Sequence, residues 1–197
     1  NKFPLADDAE ITVECNPEST DKKMLEMMKK QGVNRLSFGV QSAHDDELKA
    51  IGRLHTFQQA KDAVDLAREK GFSNISLDLM YGLPGQTQER FLDSVEQCLA
   101  LGPKHLSCYG LKLEPATPMG RENPTLPDDD AQADTYLFFC DEFDIAFEYH
   151  FVSSVILISV TLVENNGISL AEIRQGLWLV FFRRCFRFFR RRFALLL

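Results

Sequence analysis

The sequence predicts an α/β fold in which parallel strands alternate with helices. Three observations carry this expectation. Four β-rich segments recur in the first two-thirds of the chain, a helical stretch or loop follows each, and turn residues mark the joints. Strands starting about 25–40 residues apart leave room for the crossover that parallel pairing requires, and each crossover is expected to be right-handed.

The first unit opens with Glu10-Ile11-Thr12-Val13-Glu14-Cys15 and stops at the turn pair Asn16-Pro17. Ser19-Thr20-Asp21 supplies N-cap chemistry for a helix over Lys22–Gln31, which Gly32 closes. Met24, Leu25, Met27 and Met28 recur there at near-helical spacing and read as core filler. The second strand is Arg35–Val40, followed by a polar segment around His44-Asp45-Asp46. A helix over about Thr56–Lys70 then presents Ala60, Ala63, Val64 and Ala67 on one face. The third strand is Ile75–Met80, with the turn Gly82-Leu83-Pro84-Gly85 and a helix over about Thr87–Leu101. The fourth strand is His105–Leu111. Periodicity does not say whether the sheet is open or closed. Four strands in an open sheet leave two exposed edges, an aggregation hazard for the isolated chain.

The totals bound the rest. A chain of 197 residues that is 45% hydrophobic can build one domain with a core. A formal net charge of −7 and a pI near 5.1 give no footprint of nucleic-acid binding. The five cysteines, Cys15, Cys98, Cys108, Cys140 and Cys185, are an odd, scattered set without C-x-x-C spacing. They read as reduced thiols of a cytoplasmic protein, with Cys15 and Cys108 as small buried residues. The longest apolar run, Phe151–Val163, is interrupted by serines and a threonine and is too short for a membrane span.

Residues 1–143 read as one unit and 144–197 as an atypical tail. All ten lysines lie at or before Lys112, and no Asp follows Asp144. Beyond His150, seven arginines against Glu164 and Glu172 give +5, leaving −12 for the rest. The Arg183–Phe193 segment can be read as a basic amphipathic membrane or nucleic-acid segment. The abrupt change in residue usage favours translation out of frame after about Phe143. The chain opens Asn1-Lys2-Phe3-Pro4 without an initiating Met and reads as starting inside a longer protein.

The candidate site lies at the carboxyl ends of the strands, where parallel α/β sheets place function. Glu14 ends the first strand, Gln41 follows the second, and Asp78 lies near the end of the third. Arg53 sits in the Gly52-Arg53-Leu54-His55 loop. Carboxylates there suit an ammonium group or ribose hydroxyls. The Gln41 amide both donates and accepts, and Arg53 suits bidentate carboxylate capture. The set fits an amino-acid-bearing nucleoside. Each carboxylate alone reads more often as a cap or loop partner, but Asp78 interrupts an apolar run and so demands a partner. His44, His55 and His105 have no companions at ligand spacing, so they indicate no metal site.

Thr12–Glu18, Asn34–Ser42, Gly52–His55 and Leu77–Thr87 occur in the order and at the intervals of the oxygen-independent coproporphyrinogen III oxidase-like family of radical S-adenosylmethionine (SAM) proteins. Leu106–Pro115, Thr117-Pro118 and Leu126–Asp130 resemble its HemW branch, the haem chaperones. The resemblance covers about residues 4–143. It implies part of a radical-SAM (β/α) barrel, with SAM contacts at Glu14, Gln41, Arg53 and Asp78. Gly110 and Leu111 would lie with their backbone near the adenine. It also implies a [4Fe–4S] cluster held by a C-x-x-x-C-x-x-C loop that would precede Asn1, together with a glycine-rich segment. The family's later Tyr-Glu-Ile-Ser-type strand and His-Asn…Tyr-Trp segment are missing. The implied partners are haem or a porphyrinogen and haem-acceptor proteins. The implied function is haem binding and delivery, and the alternative is oxidative decarboxylation of coproporphyrinogen III. An unrelated (β/α) barrel does not account for the ordered motifs.

Resequencing the coding DNA is expected to show a frame change near Phe143. An intact frame encoding the same residues overturns that reading.

Overall fold

Alternation of side chains decides how this sheet is covered. The computed structural model describes residues 5–143, 147–152 and 155–161. Strand β1 spans Thr12–Cys15, β2 Arg35–Gln41, β3 Asn74–Tyr81 and β4 His105–Gly110, all paired in parallel. Between them run α1 (Lys22–Lys30), α2 (Asp45–Ala50), α3 (Phe57–Glu69) and α4 (Gln88–Leu99). The helices α5 (Pro118–Glu122) and α6 (Asp129–Phe143) follow, then β5 (Phe147–Val152) and β6 (Val155–Thr161). The sheet order is β1-β2-β3-β4-β6-β5.

One face of the parallel sheet is apolar. Leu36, Phe38, Val40, Ile75, Leu77, Leu79, Leu106 and Cys108 are each at most 1% exposed. Helices α1, α3 and α4 contribute Leu25, the Ala60-Ala63-Val64-Ala67 stripe, and Phe91, Val95 and Cys98 to the same core. Small residues on α3 let its backbone approach the sheet. Phe91 stands edge-on between Tyr81 and Phe139 of α6, with ring centroids 5.7 Å apart in both pairs.

The helix starts follow from local chemistry. Asp21 accepts from the Met24 N–H at 2.7 Å, and Thr56 forms a reciprocal capping box with Gln59. Thr87 caps α4. Gly32 ends α1 at φ 86°, a left-handed conformation that glycine adopts without a Cβ penalty.

The structure departs from the sequence reading in four places. First, β1 starts at Thr12 because the Asn34 side chain takes the Ile11 N–H at 2.8 Å, replacing a ladder bond. Second, the polar His44-Asp45-Asp46 segment opens a short helix, α2, with His44 at its N-cap and acids in its first turn. Third, Met27 is 57% exposed, and Leu25 is the α1 residue that is fully buried. Fourth, the β4 edge is not open, because β6 pairs with it antiparallel and β5 with β6. Cys15, Cys98 and Cys108 are buried thiols. Among the described residues, no helix is long and apolar enough to cross a membrane. The Arg183–Phe193 segment lies outside the described residues.

Leu77→Ala, at the centre of the apolar face, is expected to cost about 2–5 kcal/mol, the usual loss for a leucine truncated in a tight core. Urea denaturation of the two proteins measures it.

Candidate functional site

The opposite face of the sheet is polar because side chains alternate along the strands, up to the register shift at the end of β2. Paired residues of parallel strands project to the same side. Glu14 pairs with Ser37, Ser37 with Ser76, and Ser76 with His105. One step along, Gly39 pairs with Asp78 and Asp78 with Ser107, and beyond them Met80 pairs with Tyr109. The rows run toward the carboxyl edge and end in a cavity of about 450 Å³. Glu14, Gln41, Asp78, Gly110 and Leu111 line it, together with Met80, Tyr109, Lys112 and Glu114.

Five of the six expected site residues therefore share one cavity. Arg53 is not among its lining residues but stands close by. A Cβ placed on Gly39 would lie 2.8 Å from Gln41 Nε2, 3.9 Å from Arg53 Nη2 and 3.9 Å from Asn16 Oδ1. Glycine at position 39 leaves room for the Gln41 amide to pass over the strand, and a Cβ there would push that amide aside. Arg53 is oriented by donating from Nη1 to Asn16 Oδ1 at 3.1 Å. Behind Gly110 the Tyr81 ring is packed so tightly that a Cβ would come within 3.2 Å of it. The Leu111 N–H donates to the Tyr81 carbonyl at 2.9 Å, which seats this stretch of backbone at the cavity wall.

Asp78 finds the partner it needs in Ser37, whose hydroxyl lies 3.1 and 3.0 Å from its two carboxylate oxygens. Burial still dominates and holds the Asp78 carboxyl above its ordinary range. Hydrogen bonds from Ser37 and Ser107 oppose the shift, and the Glu14 charge adds to it. Burial, then the negative charge of Asp78, push the Tyr109 phenol up to about 12. Three lining carboxylates, Glu14, Asp78 and Glu114, with one exposed lysine at the rim make a cavity suited to positive charge and hydroxyl groups. That lysine, Lys112, lies 3.7 Å from Glu114.

The loops behind the cavity are held by a buried carboxylate. Glu47 of α2 accepts from Ser42 Oγ at 2.6 Å, Gln86 Nε2 at 2.9 Å and Arg90 Nε at 2.6 Å. It joins the loops after β2 and β3 to α4. The described cysteines do not fit an iron–sulfur cluster. Cys15, Cys98 and Cys108 pack in the apolar core, where burial pushes the Cys98 thiol up to about 12 and raises that of Cys15. Among the described residues, no group of three His, Cys, Asp or Glu side chains is placed to hold a metal ion.

Sequence reasoning missed Ser37, Ser107, Met80, Tyr109, Lys112 and Glu114. A signal for the first four was present. Parallel strands buried on both faces read as continuous apolar runs, whereas β2, β3 and β4 alternate. Lys112 and Glu114 join through the path of the chain after β4, which carries no pattern.

Comparison with known proteins bears on the family and the fold. Residues 3–98 match the model of the radical SAM superfamily. The heme chaperone HemW of Escherichia coli (strain K12) is 46% identical over 135 residues, which are 68% of this chain and 36% of that protein. The oxygen-independent coproporphyrinogen III oxidase of Paracoccus denitrificans (strain Pd 1222) is 40% identical over 108 residues, 55% of this chain and 24% of that protein. Among solved structures, the coproporphyrinogen III oxidase HemN of Escherichia coli, a radical SAM enzyme, superposes with a TM-score of 0.63. The match has 26% identity and covers 77% of this chain and 35% of that one. The chain thus spans about a third of the length of the HemW relative, the 36% given above.

The raised Asp78 carboxyl has a consequence for stability. Between its ordinary value of 3.8 and its raised value, the folded state holds more proton at Asp78 than the unfolded state. Stability from this group therefore falls as pH rises through that window and is level above it. Thermal unfolding against pH is expected to show Asp78→Asn gaining on the parent across the window. A constant difference in Tm at all pH values contradicts the assignment.

Proposed function

Since residues 3–98 place this chain in the radical SAM superfamily, we propose that its cavity binds S-adenosyl-L-methionine and that the protein is a haem chaperone of the HemW kind. The observation that carries the reading is the convergence of Glu14, Gln41 and Asp78 from three successive strand ends on one acidic cavity, with Arg53 beside it. In this reading, Glu14 and Asp78 attract the cationic ligand and accept from its ammonium and ribose hydroxyls. Arg53 takes the carboxylate in bidentate fashion, and Gln41 donates and accepts at the same end. The Gly110–Leu111 backbone lies along the adenine.

This chain's contribution is to bind and orient the cofactor and to keep water from it. No step is assigned to an iron–sulfur cluster, because the described cysteines do not fit one. Residues 1–143 form the proposed barrel unit, and the cytoplasm is the proposed setting. The preponderance of HemW relatives supports haem binding and delivery over porphyrinogen oxidation.

Calorimetric titration with S-adenosylhomocysteine is expected to show binding to the parent chain. Binding should weaken about tenfold or more in Glu14→Gln and Asp78→Asn, which each remove a negative charge from the cavity, and in Gly39→Ala, which crowds the Gln41 amide. No binding to the parent, or equal binding by all four proteins, overturns the cofactor reading. A protein extended to the full length of its relatives is expected to bind haem and leave coproporphyrinogen III unchanged. Decarboxylation of that porphyrinogen overturns the chaperone reading.

A further inference from the structure

His55 is a fully enclosed titratable side chain that the site described above does not use. Its side chain is 0% exposed. It lies on the loop between α2 and α3, yet both its hydrogen-bond partners belong to other segments. Nδ1 is 3.1 Å from Glu18 Oε2, in the 3₁₀ turn that follows β1. Nε2 is 3.2 Å from the Val40 carbonyl oxygen, next to the end of β2. Both partners present oxygen atoms to the ring, and the tautomer sets which ring nitrogen donates.

The Val40 carbonyl is a special acceptor. It also accepts the Ser42 N–H at 2.9 Å, closing a three-residue turn across Gln41. Gln41 has φ 69°, one of two non-glycine residues with positive φ among the described residues. Such a turn is strained for an L-residue and persists only where its surroundings hold it. It also breaks the β2–β3 register between Gly39 and Gln41 and carries the Gln41 amide over Gly39. The ring of His55 is the side chain that reaches this turn's carbonyl. The same loop is anchored a second time, two residues earlier, where Arg53 Nη1 donates to Asn16 Oδ1 at 3.1 Å. Residues Arg53 and His55 thus bind the loop after α2 to Asn16 and Glu18 of the loop after β1.

We propose that His55 is a positioning residue for the cavity, clamping the Val40–Gln41–Ser42 turn and the Arg53 loop together so that Gln41 and Arg53 are presented to the ligand. The proposal rests on the cofactor reading only for the identity of the ligand; the clamp itself is a property of the fold. A histidine that merely filled a core would contribute to stability without setting the geometry at Gln41.

The test compares the parent chain with His55→Phe, His55→Gln, Glu18→Gln and the remote core variant Val64→Ala. Three quantities are read: Tm, hydrogen exchange at the Ser42 amide, and affinity for S-adenosylhomocysteine. In His55→Phe the Ser42 amide is expected to exchange about tenfold faster or more, and affinity to fall by about as much, the scale of one lost buried hydrogen bond. His55→Gln, which can still donate to Val40, is expected to recover part of both. Glu18→Gln is expected to shift both in the same direction as His55→Phe but less, and it answers the question if the His55 variants do not fold. Val64→Ala is expected to lower Tm without changing either readout. Ser42 exchange within twofold of the parent in His55→Phe and Glu18→Gln, or a Val64→Ala variant that reproduces both losses, overturns the proposal. If the parent does not bind the ligand, the cofactor reading fails, while Ser42 exchange still decides for or against the clamp.

Discussion

The constraint on which the structure depends is the shared register of four parallel strands. Hydrogen bonding in that register places every second side chain on one face, so a single alternation in the sequence sorts both the core and the cavity. On one side Phe38, Leu77 and Leu106 lie in one row beneath the helices. On the other, Gly39, Asp78 and Ser107 lie in the next. A slip of one residue in β3 would bury Asp78 among the helices and turn Leu77 into the cavity. Register is therefore as much a requirement of the site as of the core.

Electrostatics within the site follow from that placement. A carboxylate set between strands loses hydration, and Asp78 is compensated only in part by the Ser37 and Ser107 hydroxyls. The nearby Glu14 charge deepens the cost. A cavity that holds the Asp78 carboxyl at some expense has a standing affinity for a cation, since ligand charge relieves the penalty. The Glu47 network behind the cavity works in the opposite sense. Arg90 and two neutral donors satisfy a carboxylate that is 3% exposed, and the loops they join become one rigid support. Breaking a fully buried pair costs on the order of 3–5 kcal/mol, and solvent at the 34% exposed Arg90 screens this one, so its loss costs less.

Much of this was legible in the sequence. The β2, β3 and β4 segments were visible as β-rich runs between turn residues, and α3 because its alanines repeat at helical spacing. The caps at Asp21, Thr56 and Thr87 act over three residues, so local reading suffices. Met27 misled because a helix periodicity places the apolar stripe only to within a residue, and packing against the sheet chose Leu25. The closing of the β4 edge by β6 was not legible, because the antiparallel partner arrives from far along the chain and pairing across that distance leaves no local mark.

The sequence by itself determined which residues lie at strand ends, and hence that Glu14, Gln41 and Asp78 belong to one edge of the sheet. Chain direction and a period of two are enough for that. Only the tertiary structure decided how they meet. It supplied Ser37 as the partner of Asp78, since cross-strand neighbours depend on register. It showed the left-handed turn at Gln41 and the His55 and Asn16 contacts that hold Gln41 and Arg53 beside Gly39. Those contacts join three loops that are remote in sequence, and the conformation of each is set by the other two rather than by its own residues.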